Sequence, residues 1–196
     1  MNFFEGLIAP DPPDEPQPET QHRLGAYRPG EKESLPPADW FVPAQLPQVT
    51  ELGAGPDTRI MLTGWQVWPG SVTLQLGVFL RTIRQGVPAR PVHFGGGHAG
   101  AGALRFGVSL SDGRRVTTLD GHPWPAPTGG PPRPTLQLGG GGGGGFHYQV
   151  ELHVSQLPPE GPMRLEAEWP DQGVPETRTE IDATALRAAA AEAVRI

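Results

Sequence analysis

From Val72 to Arg81 apolar and polar residues alternate without a break. Val72, Leu74, Leu76, Val78 and Leu80 fall on one side, and Thr73, Gln75, Gly77, Phe79 and Arg81 on the other. Successive side chains of a strand point to opposite faces, so this pattern predicts a half-buried β-strand. It recurs in Leu104, Phe106, Val108 and Leu110, and in Met163, Leu165, Ala167 and Trp169 against Arg164, Glu166 and Glu168. The longest example places Phe146, Tyr148, Val150, Leu152 and Val154 opposite His147, Gln149, Glu151, His153 and Ser155. Residues 59–68 also read as a strand, although its faces are mixed: Met61, Trp65 and Val67 oppose Ile60, Leu62 and Trp68. Trp68-Pro69-Gly70-Ser71 predicts a type II turn with a positive φ at Gly70. Asp112-Gly113 predicts a tight hairpin in which both residues take φ > 0. Order is expected to begin near Trp40-Phe41-Val42, and Pro43 and Pro47 restrict that segment to a sheet edge.

After Trp169-Pro170 the alternation stops. Asp182 is placed to cap a helix over residues 183–194, with Leu186, Ala189, Ala190, Ala193 and Val194 on one stripe. About seven short strands joined by hairpins and long loops, then one Ala-rich helix, predict an all-β fold: an immunoglobulin-like β-sandwich, with a small barrel as the alternative. The expected organisation is a disordered Pro-rich, acidic tail over residues 1–39, a sandwich over 40–180 and a C-terminal helix over 181–196. The tail holds too little apolar surface to offset the entropy of ordering. At its tip Phe3, Phe4, Leu7 and Ile8 form a small apolar knot, read either as a docking peptide for a partner's groove or as a segment folded onto its own domain.

The 28 glycines and 25 prolines cluster in this tail and in the loops, which supports a folded body with appended segments. A net charge of −6 gives no electrostatic reason to expect nucleic acid or an acidic membrane as partner. The six arginines between Arg81 and Arg115 are expected on solvated strand faces and turns. Cysteine is absent, which removes disulfides, thiolate metal sites and a thiol nucleophile. The first residues lack the pattern of a signal peptide and no apolar run is long enough to span a bilayer, so the expected location is cytoplasmic.

No reaction is legible. A Gly-x-Ser-x-Gly elbow is missing, Ser109 and Ser111 sit among outward polar residues, and Glu166 and Glu168 read as a solubilising face. His147 and His153 share a strand face but would lie roughly 20 Å apart at ~3.3 Å per residue, and His93 with His98 offers two ligands only. No metal and no cofactor are expected. The seven glycines 139–145 lead into a strand instead of a helix, unlike a phosphate-binding loop. They read as a flexible surface loop, or as one that passes close to another backbone. Trp40, Trp65, Trp68 and Trp169 are expected to anchor the core, and Trp124, inside a proline-rich loop, to be exposed.

Taken in order, Gly64-Trp65-Gln66-Val67-Trp68-Pro69-Gly70, Leu104-Arg105-Phe106-Gly107-Val108, Ser111-Asp112-Gly113-Arg114, the glycine run, Leu157-Pro158-Pro159-Glu160-Gly161 and Glu168-Trp169-Pro170 resemble a group of uncharacterised actinobacterial proteins. The resemblance covers residues 40–196 and implies no activity. The expectation is therefore a non-enzymatic intracellular protein-interaction module or accessory subunit, with a protein partner and possible homo-oligomerisation. Its candidate contact residues are Phe3, Phe4, Leu7, Ile8, Trp124, Gly141, Gly142, Gly143 and His147. A small-ligand or carbohydrate binder using Trp124, His98 and His147 is the alternative.

Overall fold

A computed structural model describes Phe3 and residues 41–82, 101–120 and 133–195. Phe4, Leu7, Ile8, Trp124, Trp40, His93 and His98 lie outside the described residues, as does the tail apart from Phe3.

Three consecutive strands, β2 (Ala44–Ala54), β3 (Thr58–Val67) and β4 (Val72–Leu80), form an antiparallel meander after the short β1 (Phe41–Val42). β5 (Arg105–Ser109) and β6 (Arg115–Thr117) make a hairpin, as do β7 (Leu136–Gly144) and β8 (His147–Val154), and then β9 (Pro162–Trp169) and β10 (Val174–Asp182). The chain ends with helix α1 (Thr184–Ala190) and β11 (Val194–Arg195). One sheet runs β2-β3-β4-β8-β7 and the other β10-β9-β5-β6, while β1 pairs with β11. The alternating apolar faces of both sheets enter one core, with Trp65 and Trp169 among its largest fully buried side chains. The fold is all-β, a two-sheet sandwich. Along one side the sheets meet at a corner, where the Thr177 hydroxyl of β10 donates to the Leu52 carbonyl of β2.

The clean alternations of β4, β8 and β9 bury the faces expected of them. The mixed faces of β3 have a geometric resolution. Its pairing with β4 slips between Leu62 and Gly64, and this bulge inserts Thr63. One extra residue reverses the phase, so Ile60 and Leu62 before it, and Trp65 and Val67 after it, all reach the core.

Four local expectations are corrected. Gly70 has no positive φ, and the turn is held by the Trp68 N–H donating to the Ser71 carbonyl, so it is not type II. At the β5–β6 turn only Gly113 is left-handed, at φ 85, and the Gly113 N–H donates to the Leu110 carbonyl. This is a three-residue loop ending in a left-handed glycine. The helix stops at Ala190; Leu186, Ala189 and Ala190 are buried, but Val194 is exposed because the chain leaves the helix to pair with β1. Finally, residues 174–182 form a strand where the sequence showed no alternation.

Candidate interaction surfaces

The glycine run is strand β7, not a loop. Gly140 to Gly144 pair with Glu151 to His147 of β8. The alternation of β8 explains why so loose a leader is ordered: β8 is fixed on its other flank by β4, so it offers β7 a rigid template. The hairpin turn then requires one glycine. Gly144 pairs with His147, leaving Gly145 and Phe146 as a two-residue loop, and Gly145 has φ 64. That left-handed first position is what a type II′ turn demands.

β7 ends its sheet, and among the described residues no strand lies beyond it. Residues 141–145 are exposed and carry no side chains. Apolar groups flank this bare edge. Leu138 is 37 % exposed and Phe146 57 %. Inward of the edge, Phe79 of β4, 42 % exposed, stacks on His147 of β8 with ring centroids 4.6 Å apart and planes 7° from parallel. The structure thus brings together four of the expected contact residues, Gly141, Gly142, Gly143 and His147.

Phe3 lies elsewhere, on the outer face of the four-stranded sheet, and is 8 % exposed. Its ring rests on Gly107 of β5, where any Cβ would overlap it. Its backbone N–H donates to both oxygens of Glu176, at 3.1 and 2.9 Å, and the Arg115 guanidinium sits 5.5 Å from the ring centroid. Phe3 therefore docks on its own domain.

The polar face beneath it corrects the expectation of a solvated surface. Gly107 is paired with Glu166, whose side chain is 1 % exposed. Oε1 accepts from Ser109 Oγ at 3.3 Å and lies 3.7 Å from Arg178 Nε, while among the described residues Oε2 has no hydrogen-bond partner. Burial disfavours the charged form and pushes the carboxyl up to about 7. The Ser109 hydroxyl and the charges of Arg178 and Arg115 oppose this, and Glu176 adds to it. Beside it Arg105 is buried too, its Nε donating to Glu168 Oε2 at 2.9 Å and its Nη1 to the Ala101 carbonyl at 3.1 Å. Of the polar residues that alternation places outward here, Glu166 and Arg105 are buried and Glu168 is half-buried, and Phe3 is seated on Gly107, the residue paired with Glu166. Alternation reports which face a residue takes, not what later covers that face.

On the outer face of the other sheet, His153 is buried with its Nδ1 3.2 Å from Thr73 Oγ1 and its ring edge-on to Trp68. Burial lowers its pKa to about 4, against a hydrogen bond with the Val72 backbone, and keeps the imidazole neutral. Among the described residues no group of three His, Asp or Glu side chains is placed to hold a metal ion, and no helix is long and apolar enough to cross a membrane.

No family model matches the chain, and neither a curated protein nor a solved structure matches it.

Proposed function

We propose that this protein is a non-enzymatic interaction module that binds an extended segment of a protein partner along β7. The observation that carries the reading is the open glycine edge with apolar groups at its ends. Strand addition takes its affinity from main-chain hydrogen bonds and its specificity from contacts with alternate side chains. A bare edge admits an incoming backbone without steric obstruction, and Leu138 and Phe146 supply apolar contacts at its two ends. Natural edges usually carry charge or proline to prevent such pairing, and this one carries neither over residues 139–145.

The scaffold in this reading is immunoglobulin-like. Its support is the connectivity: β3-β4-β8-β7 facing β10-β9-β5-β6 follows the order A-B-E-D against G-F-C, with one further strand beyond C and β2 added outside A. The module works in the cytoplasm, where a cysteine-free sandwich must rely on its core alone.

Selection of random peptides on the full chain tests the reading, with hydrogen exchange as the readout. Selected peptides are expected to protect the amides of residues 140–144. They should bind at least tenfold more weakly to the G142K/G144K variant, since both positions face open space and keep ordinary φ. Equal binding to the folded variant, or protection elsewhere, rules the edge out.

A further inference from the structure

The seat of Phe3 is assembled from parts that answer to features of any extended aromatic peptide. Gly107 provides a floor that only a missing side chain allows. Glu176 receives a backbone N–H, and Arg115 faces the ring. The seat lies on the sheet opposite β7, so it does not depend on the glycine edge.

The 37 residues between Phe3 and Phe41 could reach about 120 Å if extended. Chain connectivity therefore does not force Phe3 into this position; the seat must select it. We propose that the outer face of the four-stranded sheet is a peptide-binding site whose ligand is the N-terminal segment around Phe3, held in cis and exchangeable for the same segment supplied in trans.

Glu166 couples this exchange to protons. The groups facing it are Ser109 from β5, Arg115 from β6, and Arg178 and Glu176 from β10, with the Phe3 ring on its cross-strand neighbour Gly107. In this proposal, undocking Phe3 exposes the strand around Glu166 and returns its carboxyl toward the ordinary value of 4.5, whereas the docked state holds it near 7. The docked state thus binds more protons between these limits. Docking is strongest at the acid end, weakens as pH rises through this window and levels off above it.

The test uses the full chain carrying Phe3→Ala, which empties the seat, and a fluorescent synthetic peptide of residues 1–8 followed by anisotropy. The peptide is expected to bind this variant at least tenfold more tightly than the wild-type chain, because a covalently attached ligand competes at an effective concentration of up to about millimolar. A peptide with Phe3→Ala should lose at least tenfold, and adding Gly107→Val to the chain should abolish binding by filling the floor. Affinity should fall at least threefold from pH 5 to pH 8, and Glu166→Gln should remove that dependence. Absence of binding to the folded Phe3→Ala chain overturns the proposal, as does equal affinity for wild-type and variant chains or binding that survives Gly107→Val.

Discussion

β7 and β10 are both edge strands, and they solve the edge problem in opposite ways. β10 presents Glu176, Arg178 and Glu180, begins beside Pro175, and is pinned by the buried Val174 and Ile181. Its Thr177 ties it to β2 at the corner of the sandwich. Charge and proline discourage a further strand from joining such an edge. β7 has Leu136 as its one buried anchor, then Leu138 half-exposed, then glycines only. Its order is borrowed from β8. The difference shows that an edge can be anchored and charged, or templated and, among the described residues, open, within a single small domain. The open one is where a partner is proposed to bind.

Removing an anchor should separate the two edges most clearly. Ile181→Ala is expected to cost about 2–5 kcal/mol, as buried Ile truncations do. Leu138→Ala on β7 should cost under about 1 kcal/mol, since that side chain already meets water. Urea unfolding of both variants measures this, and equal losses would mean that β7 is anchored as firmly as β10.

The next effect concerns the polar face that β10 shares with β9. In the folded chain Glu166 titrates near 7 and His153 near 4, against ordinary values of 4.5 and 6.5. A raised carboxyl contributes stability that is present below pH 4.5 and lost as pH rises through 7. A depressed imidazole contributes stability that is present above pH 6.5 and lost as pH falls toward 4. The two slopes oppose each other between pH 4.5 and 6.5. Glu166→Gln should therefore unmask the histidine slope, with stability rising by about 1–3 kcal/mol from pH 4 to 6.5 and then staying flat. Thermal melts across this range decide it; a slope unchanged from wild type would show that Glu166 does not titrate with folding.

The smallest effect distinguishes neighbours inside β7. Gly143 has φ 134 and a Cβ there would meet the His147 carbonyl, so Gly143→Ala should destabilise by about 1 kcal/mol or more. Gly142 faces open space without a positive φ, and Gly142→Thr should stabilise by about 0.5–1 kcal/mol through lost unfolded-state freedom and better strand propensity. Chemical denaturation of the pair should move in opposite directions. A shift of the same sign in both would mean that the run tolerates side chains uniformly.

These same two strands mark where reading by pattern stopped. Period-two alternation located β4, β8 and β9 with their buried faces, because each of those strands covers one wall of the core. β10 escaped because only Val174 and Ile181 are apolar and a bulge lies between Val174 and Thr177. β7 escaped because glycine has no side chain with which to alternate. Of the expected contact residues, Gly141 to Gly143 and His147 come together along one edge, while Phe3 sits on the other sheet over Gly107, the residue paired with Glu166. A buried carboxylate has no signature in a strand that reads as polar on that side.

By itself the sequence determined the all-β class, the β3–β4 and β5–β6 hairpins, and the inward face of each strongly alternating strand, since these depend on residues a few positions apart. Tertiary structure alone decided that the glycines would be a strand, that the 174–182 segment would close the second sheet, and that Phe3 would rest on Gly107. Phe3 rests on a residue far along the chain, and the two strands pair with neighbours in sequence, β8 and β9, that are themselves held by the more distant β4 and β5; a local pattern holds no information about such surfaces.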